Sequence, residues 1–449
     1  MSSNATAEAM ADDTDSHPTV LLREYTTARA IPVRTALLVQ DASIVRLIRE
    51  ERGRSQAVWN SLVSAFLPEG YPNSVTPDYL PFQMWDTLQG LSTYIRSMLS
   101  TQALLGGIGV GETTATVVGA TFQWFLRDFT GMLGSILFTL QQGSNLDSSA
   151  KQWRLAADLM NDMGMLMDLI SPLFPRAFVT LLCLGSLARS VTGVASGATR
   201  AALTQHFALR KNAADVSAKE GSQETAATLV GMSMGIVVAR LTSGNPVSLW
   251  VSFLLLTAFH MYANYRAVKS LCLTSLNAER TSILLRAFVS GGKVPNPRQV
   301  ASQEHVLPQF STFPWLKGPR LQITLNFGAQ ISALKLANGW GSFPDLLGQF
   351  GKEQYLVTCE GQKIHVVLHK QATTQDCVRA YVHALYLSEL LGSRSTTDVT
   401  AAEAESLSWM KQHFPAFLAS LESSGWATDR ILVLTKEWRA EWQQPSKLE

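Results

Sequence analysis

Apolar residues are spread unevenly along this chain. From Leu241 to Tyr265 there is no charged side chain, and Arg240 and Arg266 bracket the run. A helix starting after Pro246 and ending near Tyr265 would be about 30 Å long, the thickness of a hydrocarbon core. Trp250 near one end and Tyr262 and Tyr265 at the other stand where interfacial rings stand. A membrane span is therefore expected here, against the alternative of a central helix in a soluble bundle. Three other apolar stretches are interrupted. "MLSTQALLGGIGVGETTATVVGATFQWFL" holds Glu112 and many glycines, and "SPLFPRAFVTLLCLGSLARSVTGVASGA" holds Arg176 and Arg189. "TAATLVGMSMGIVVA" is clean but short, as tilted, re-entrant or protein-buried helices are. The turn "TSGN" joins it to the Pro246 segment, which predicts an antiparallel helical hairpin.

Polar positions inside the apolar half are periodic too. In "LDSSAKQWRLAADLMNDMGMLMDLISP" the apolar Trp153, Ala156, Ala157, Met160, Met163, Met167 and Ile170 recur at helical spacing. Arg154, Asp158 and Asp162 form a stripe on another face. A solvated face with an Arg154–Asp158 pair is the simple expectation; the alternative is the polar lining of a cavity, with Arg154 or Lys151 balancing the carboxylates. Asp147 and the serines after it supply an N-cap region, and Pro172 ends the helix. A second polar stretch, "ATRAALTQHFALRKNAADVSAKEGSQET", carries Arg200, His206, Arg210, Lys211, Asn212, Asp215, Lys219, Glu220, Gln223 and Glu224. It reads as an ion-pair network or loop, with anion recognition by Arg200, Lys211 or Lys219 as the sharper alternative. A Schiff-base role for Lys219 has no accompanying cofactor signature.

Two further segments have distinct local chemistry. "LPEGYPNSVTPDYLPFQMWDTLQG" combines prolines with Tyr71, Tyr79, Phe82 and Trp85, so Leu67 to Pro81 is expected to be ordered and non-helical, a rigid elbow into a helical bundle. In "GGIGVGE" the glycines do not fit a dinucleotide fingerprint and no strand precedes them. Close helix packing through Gly107 and Gly111 is the better reading. No lysine follows a glycine loop as nucleotide hydrolysis would need.

Composition agrees with a greasy core joined to ordinary ends. Apolar residues are 46% and charged ones 16%, where soluble domains carry about 25% charged. The net charge of +2 gives no case for nucleic acid. The four cysteines, Cys183, Cys272, Cys359 and Cys377, include no CxxC, which fits a reducing compartment. Residues 1–20 are polar and acidic, and are expected to be disordered and not to direct secretion. Beyond the linker expected at 291–306 the pattern becomes that of a soluble domain. "PRLQITLNFG" and "EQYLVTCEGQKIHVVLHK" read as strands, the latter a hairpin turning at Glu360-Gly361. "TTQDCVRAYVHALYLSELLG" reads as a helix capped by Thr373 or Thr374 and stopped at Gly392. A second helix follows, with Pro415 as a candidate break, and "DRILVLTKEW" reads as a last strand. His365 and His369, with His383 or Cys377, lack the carboxylate or thiol spacing of a metal site.

Several stretches together resemble the root UVB-sensitive (RUS) family. The matching blocks are "LPEGYPNSVTPDYLPFQMWDTLQ", "RDFTGMLGSILF", "LDSSAKQWRLAADLMNDMG" and "GATRAALTQHFALRKNAADVSAKEGSQET", in the family's order. The resemblance spans roughly Phe66 to Arg240 and continues more weakly into the C-terminal part. Phe129 departs from the glycine many members carry after the Lys/Arg-Asp pair. The polar N-terminus is closer to the animal branch than to transit-bearing plant members. The resemblance implies a membrane-associated helical protein, and plant members are tied to UV-B sensitivity, auxin transport and vitamin B6 homeostasis. It carries no catalytic residue and no cofactor across.

The expectation is a mainly α protein: residues 21–59 as an N-terminal region, a helical membrane-associated bundle over 60–290, and a small α+β domain over 307–442. A non-enzymatic, transporter-like membrane protein leads, since no nucleophile–base pair or metal signature is visible. The rival is a membrane-anchored scaffold whose C-terminal domain binds a partner protein. Expected partners are the membrane, a small anionic metabolite, and a second copy or another family member. Candidate ligand residues are Asp128, Lys151, Arg154, Asp158, Asp162, Arg200, Asn212, Asp215, Lys219 and Gln223. The basic residues flanking the hairpin place the C-terminal domain in the cytosol, although Arg240 at the turn argues the other way.

Overall fold

The computed structural model describes residues 62–108, 117–142, 146–307, 323–334, 342–351, 353–393, 399–433 and 435–442, and the backbone of three strands before them. The chain divides into two units, Met1–Pro77 with Phe207–Ala226, and Asp78–His206 with Ala227–Glu449, each taken by itself here. In the first unit, strands β1 (Thr19–Tyr25), β2 (Pro32–Leu38) and β3 (Ile44–Arg49) form an antiparallel meander. Register shifts between Val20 and Leu22 and between Leu37 and Leu38 break the period-two pattern, so the sequence does not announce it. Apart from Thr19 and Val20, which open β1, the segment expected to be disordered lies outside the described residues.

Among the described residues six long helices follow. They are α1 (Tyr79–Ile108), α2 (Val117–Gln142), α3 (Ala150–Ile170), α4 (Phe178–Phe207), α5 (Ala213–Thr242) and α6 (Pro246–Ser270). Helix α1 starts two residues before Pro81, not after it. In the first turn the missing proline N–H has no intrahelical partner to lose, so the ring is tolerated. Helix α5 is 30 residues long, not a short re-entrant piece. The Ala, Lys, Glu and Gln residues of 213–225 are good helix formers and extend it backwards from the apolar run. Asn245 caps α6, its side chain accepting from the Val247 and Ser248 amides at 3.1 and 3.2 Å.

Side-chain pairs fix the helix directions. Ser92 donates to the Leu256 carbonyl while Leu99 packs with Phe253, so α6 runs antiparallel to α1. Arg96 meets Asp162 and Ser100 the Met165 carbonyl, so α3 runs parallel to α1. Thr192 donates to Ala157, and Gly164 faces Gly185, so α4 is antiparallel to α3. The contacts of Gly131 and Gly134 with Ser186 and Ser190 run α2 parallel to α4. The hairpin expectation takes an unexpected form: α5 lies along α1. A Cβ on Gly231 would stand 2.8 Å from Tyr94 Cβ, and one on Gly235 2.7 Å from Met98 Cγ. Small residues four apart thus do admit a close helix approach, here on α5. The approach expected at Gly107 and Gly111 lies outside the described side chains.

Large apolar side chains face outward on α2 (Phe122, Phe125, Met132, Ile136, Leu140), α5 (Leu229, Val230, Val237) and α6 (Val251, Leu254, Leu255). The helices spanning Pro175–Phe207, Ala213–Thr242 and Pro246–Ser270 are long and apolar enough to cross a membrane.

After α6 the chain forms β4 (Ser275–Asn277), α7 (Ala278–Gly291) and α8 (Pro297–Gln303). The stretch expected as linker therefore contains a helix, and Val300 on it is buried. The C-terminal part comprises β5 (Thr324–Phe327), α9 (Phe343–Phe350), β6 (Tyr355–Glu360), β7 (Lys363–Leu368), α10 (Thr374–Ser393), α11 (Val399–Ser423) and β8 (Ala427–Leu432). The sheet order is β5-β7-β6, with β5 parallel and β6 antiparallel to β7, and β8 pairs in parallel with β4. The hairpin turns at Gly361, whose φ is 58°. Thr373 and Asp376 cap α10 reciprocally. Two expectations fail here: α10 runs through Gly392, and α11 passes through Pro415 unbroken. Phe414, Phe417 and Leu421 lock α11 into the core on both sides of the proline, and that packing outweighs the lost hydrogen bond.

His383 on α10 is buried against Phe350 and Tyr355, with Nε2 3.0 Å from the Ser406 hydroxyl. Burial, with help from Arg379, pushes its pKa down to about 3. The unfolded chain takes up a proton near pH 6.5 that the folded one refuses, so stability is complete above pH 6.5 and falls as pH drops toward about 3. Thermal unfolding of the full chain should weaken from pH 7 to pH 5, and His383→Leu should flatten that slope; equal slopes overturn this. At the helix contacts, Gly231→Val should destabilise by about 1–3 kcal/mol in a detergent thermal-unfolding assay. Gly193→Ala, where a Cβ meets nothing within 4 Å, should be neutral or mildly stabilising.

Candidate functional site

The charged stripe of α3 is buried, not solvated. Arg154, Asp158 and Asp162 all point into the bundle, because α1 and α6 bring partners to the same height. Asp162 accepts from Arg96 Nη1 at 2.6 Å through Oδ1 and lies 3.0 Å from His260 Nδ1 through Oδ2. The other ring nitrogen, Nε2, is 2.8 Å from Gln89 Nε2. Arg96 also donates to the Thr257 hydroxyl at 3.2 Å. Asp158 accepts from the Asn264 amide, and Arg154 pairs with Asp86, not with Asp158. The expected Arg154–Asp158 pair is thus replaced by partners from two other helices, α1 and α6. Arg96 and His260 are both 0% exposed. Two guanidinium nitrogens of Arg96, Nε and Nη2, have no hydrogen-bond partner among the described residues. Arg96, Asp162 and His260 lie near the middle of their helices, which is where polar side chains are most costly in an apolar slab.

A second network sits at the N-terminal end of α3. Glu304 bridges Lys151 at 2.7 Å and Arg280 at 2.9 Å, and all three are buried. Burial alone would raise the Glu304 pKa, but Arg280 and Lys151 outweigh it and hold the carboxyl below its ordinary range. Asn277 caps α7 through the Arg280 amide and donates to the Ser148 carbonyl, so β4, α7 and the start of α3 are tied together. Nearby, Asp78 lies 3.0 Å from His206 Nε2 and accepts from the Cys272 amide at 2.7 Å. A third pair, Asp168 with Arg189 at 2.6 Å, joins α3 to α4 at its far end.

The ten candidate residues therefore separate. Arg154, Asp158 and Asp162 converge, and Lys151 joins the Glu304 network. Asp128 is exposed on α2, and Arg200 is half-buried on α4. The remaining four lie in the other unit, where Asp215 and Gln223 brace the proline-rich elbow. Asp215 accepts from the Glu69 amide at 2.8 Å and stands 3.8 Å from Lys219; Gln223 donates to the Phe66 carbonyl at 2.6 Å. Asn212 accepts from the Arg210 amide. The elbow itself is held by Thr76 to the Phe207 carbonyl and Leu209 to the Ser74 carbonyl. Asp86, Gln89, Arg96, His260 and Asn264 were not anticipated. Their signal was a weak one: polar residues at helical spacing inside apolar segments, such as His260 and Asn264 one turn apart in the uncharged run.

In the C-terminal part the histidines go to separate partners: His365 to Asn326, His369 to the Trp442 ring, and His383 to Ser406. Among the described residues no group of three or more His, Cys, Asp or Glu side chains is placed to hold a metal.

A polar-centred helical bundle continuing into an α+β domain is the class this geometry defines, and comparison with known proteins gives it a family. The vitamin B6 photo-protection and homoeostasis domain matches residues 52–292, and the root UVB sensitive protein C-terminal domain matches residues 293–442. The chain belongs to the root UVB-sensitive family. It is 54% identical over 416 residues to Protein root UVB sensitive 3 of Arabidopsis thaliana, covering 91% of this chain and 92% of that one. It is 45% identical over 258 residues to RUS family member 1 of Dictyostelium discoideum, covering 57% and 49%. Against Protein root UVB sensitive 2, chloroplastic, of Arabidopsis thaliana it is 28% identical over 390 residues, covering 86% and 87%. No solved structure matches the chain.

Breaking a buried ion pair strands a charge, whereas removing both members does not. Arg96→Leu and Asp162→Leu should each destabilise by about 3–5 kcal/mol, and the double substitution by clearly less than their sum. Asp128→Asn, on an exposed face, should stay within about 0.5 kcal/mol. Additive losses at Arg96 and Asp162 in thermal unfolding would refute the pairing.

Proposed function

We propose that this protein is a membrane-embedded, non-enzymatic carrier of a small anionic metabolite in vitamin B6 homeostasis. The observation that carries the reading is the inverted distribution of polarity. A fully buried guanidinium, Arg96, sits at mid-bundle among carboxylates and an imidazole, while α2, α5 and α6 turn large apolar side chains outward. Soluble bundles do the opposite; helices in lipid keep ionisable groups inside, where they mark solute and ion pathways. The spare donors of Arg96 suit a carboxylate or phosphate oxygen. Vitamin B6 enters through the matched domain's description, and pyridoxal phosphate has the required charge.

The scaffold reading has less support. Beyond residue 293 the exposed large apolar side chains among the described residues are Leu307 and Trp438, two where a docking patch needs several. The C-terminal domain is assigned to the cytosol, since Arg266, Lys269 and Arg280 flank the end of α6. Oligomerisation with a second copy or another family member belongs to the same proposal. The affinity with animal members rests on the polar N-terminus alone, beside named relatives from a plant and a slime mould.

Alkaline carbonate should leave the chain in the membrane pellet, and external protease should spare a C-terminal tag on sealed membranes of known orientation. Proteoliposomes should accumulate pyridoxal phosphate, or pyridoxal or pyridoxine, and Arg96→Gln should reduce uptake at least about ten-fold. Carbonate release, or wild-type vesicles inert toward all these solutes, would sink the carrier reading.

A further inference from the structure

We propose that a groove between α1 and α5 binds a chain of an anionic phospholipid, with the lipid's phosphate held at Arg240. Gly231 and Gly235 bring α5 against Tyr94 and Met98 of α1. Beyond these contacts, toward the C-terminal ends of both helices, a groove of about 740 Å³ lies between the two, a ligand-sized space. Its walls are apolar at Met98, Leu105, Ile236 and Ala239, and Arg240 and Ser243 stand at its outer end. Leu105 and Ile236 are exposed, so the groove opens sideways. From Met98 to Gly106 its α1 wall is about 12 Å long. One leaflet of a hydrocarbon core is about 15 Å deep, so the groove has the reach of a single acyl chain.

The charge at the outer end selects the head group. Arg240 is exposed and pairs with no carboxylate among the described residues, and none of the described residues lining the groove is acidic. Its place in the last turn of α5 offsets the helix dipole, a role that leaves the guanidinium donors free. A guanidinium holds a phosphate through two parallel N–H···O bonds, and Ser243 adds a hydroxyl on the same rim. A zwitterionic head group brings an ammonium beside its phosphate, which the groove has no acid to receive. An anionic head group needs none. A small free anion would engage the arginine and leave the apolar walls wet, whereas a lipid chain covers them. Arg240 also stands at the "TSGN" turn, against the bias of basic residues toward the other end of the hairpin. A phosphate ligand gives it a function there. The inference rests on the membrane reading, since the chain enters from a bilayer, and is independent of solute transport.

The test uses the full chain in detergent micelles containing phosphatidylglycerol and phosphatidylcholine of identical chains, with retained lipid counted by native mass spectrometry. Wild type should retain phosphatidylglycerol in preference. Arg240→Gln should reduce that preference at least about ten-fold, as loss of a charge-assisted contact does. Gly106→Leu, at a groove position where a Cβ meets nothing within 4 Å, should fold and abolish the preference by filling the space. Should it aggregate, Thr101→Phe fills the same groove with the same expected result. Arg266→Gln, which removes an equal charge at the other end of α6, should change the preference far less. Soluble glycerol 3-phosphate should not compete; displacement by it would make this a free-anion site and overturn the lipid assignment. Equal retention of both lipids by wild type overturns it as well. So does an unchanged preference in Arg240→Gln or the groove-filling variant, or an equally large loss in Arg266→Gln. Carbonate release would remove the membrane reading, and failed uptake the carrier, while lipid retention in micelles still decides the groove.

Discussion

Asp162 is the side chain on which the bundle's arrangement turns. Its two oxygens face different helices, one toward Arg96 of α1 and the other toward His260 of α6, while its backbone belongs to α3. A carboxylate so buried is tolerable only with charged or strongly donating partners on both sides. That requirement fixes the heights of three helices at once. Asp158 with Asn264, one turn earlier, repeats the link between α3 and α6. The glycine contacts lie elsewhere, between α2 and α4, between α3 and α4, and between α5 and α1.

The polar centre and the apolar exterior belong to one solution. On the proposed membrane reading, a helix in hydrocarbon gains nothing by hiding leucines from lipid, so association rests on close packing and interior hydrogen bonds. Gly131 and Gly134 of α2 against α4, Gly164 of α3 against Gly185, and Gly231 and Gly235 of α5 against α1 supply the close packing. The buried pairs supply the hydrogen bonds. Toward the C-terminal domain the logic changes, since its core is the ordinary apolar kind, built on Tyr355, Val366, Leu368 and Leu387.

Much of this was legible from residue patterns. The α6 segment was visible in its uncharged run after Pro246, and α3 in its helically spaced apolar and charged stripes. The 360–361 hairpin was visible in a Gly between alternating residues. What was illegible needed partners from distant sequence. Arg154, Asp158 and Asp162 look the same on paper whether solvated or buried; only Asp86, Arg96, His260 and Asn264 on α1 and α6 decide it. Conversely, Asp215, Lys219 and Gln223 look like a ligand array, yet Asp215 and Gln223 bond the elbow backbone, and Lys219 lies beside Asp215 one turn along the same helix. Pro81 and Pro415 misled for a local reason. Helix breaking is an average over contexts, and a first turn or a locked core is the context that removes the penalty.

Why should a bundle use charges at its centre when leucines would pack as well? Glycine-lined contacts and apolar faces are forgiving: a helix can slide by a turn along such a surface at small cost, because the surface repeats. Charged groups do not repeat in that way. Moving α6 by one turn past α3 would place His260 beside Asp158, leave Asn264 without its carboxylate, and strand Asp162 with a single partner. Stranding a buried charge costs about 3–5 kcal/mol, more than a slipped apolar contact. The centre therefore selects one register sharply, and the selection depends on its charge.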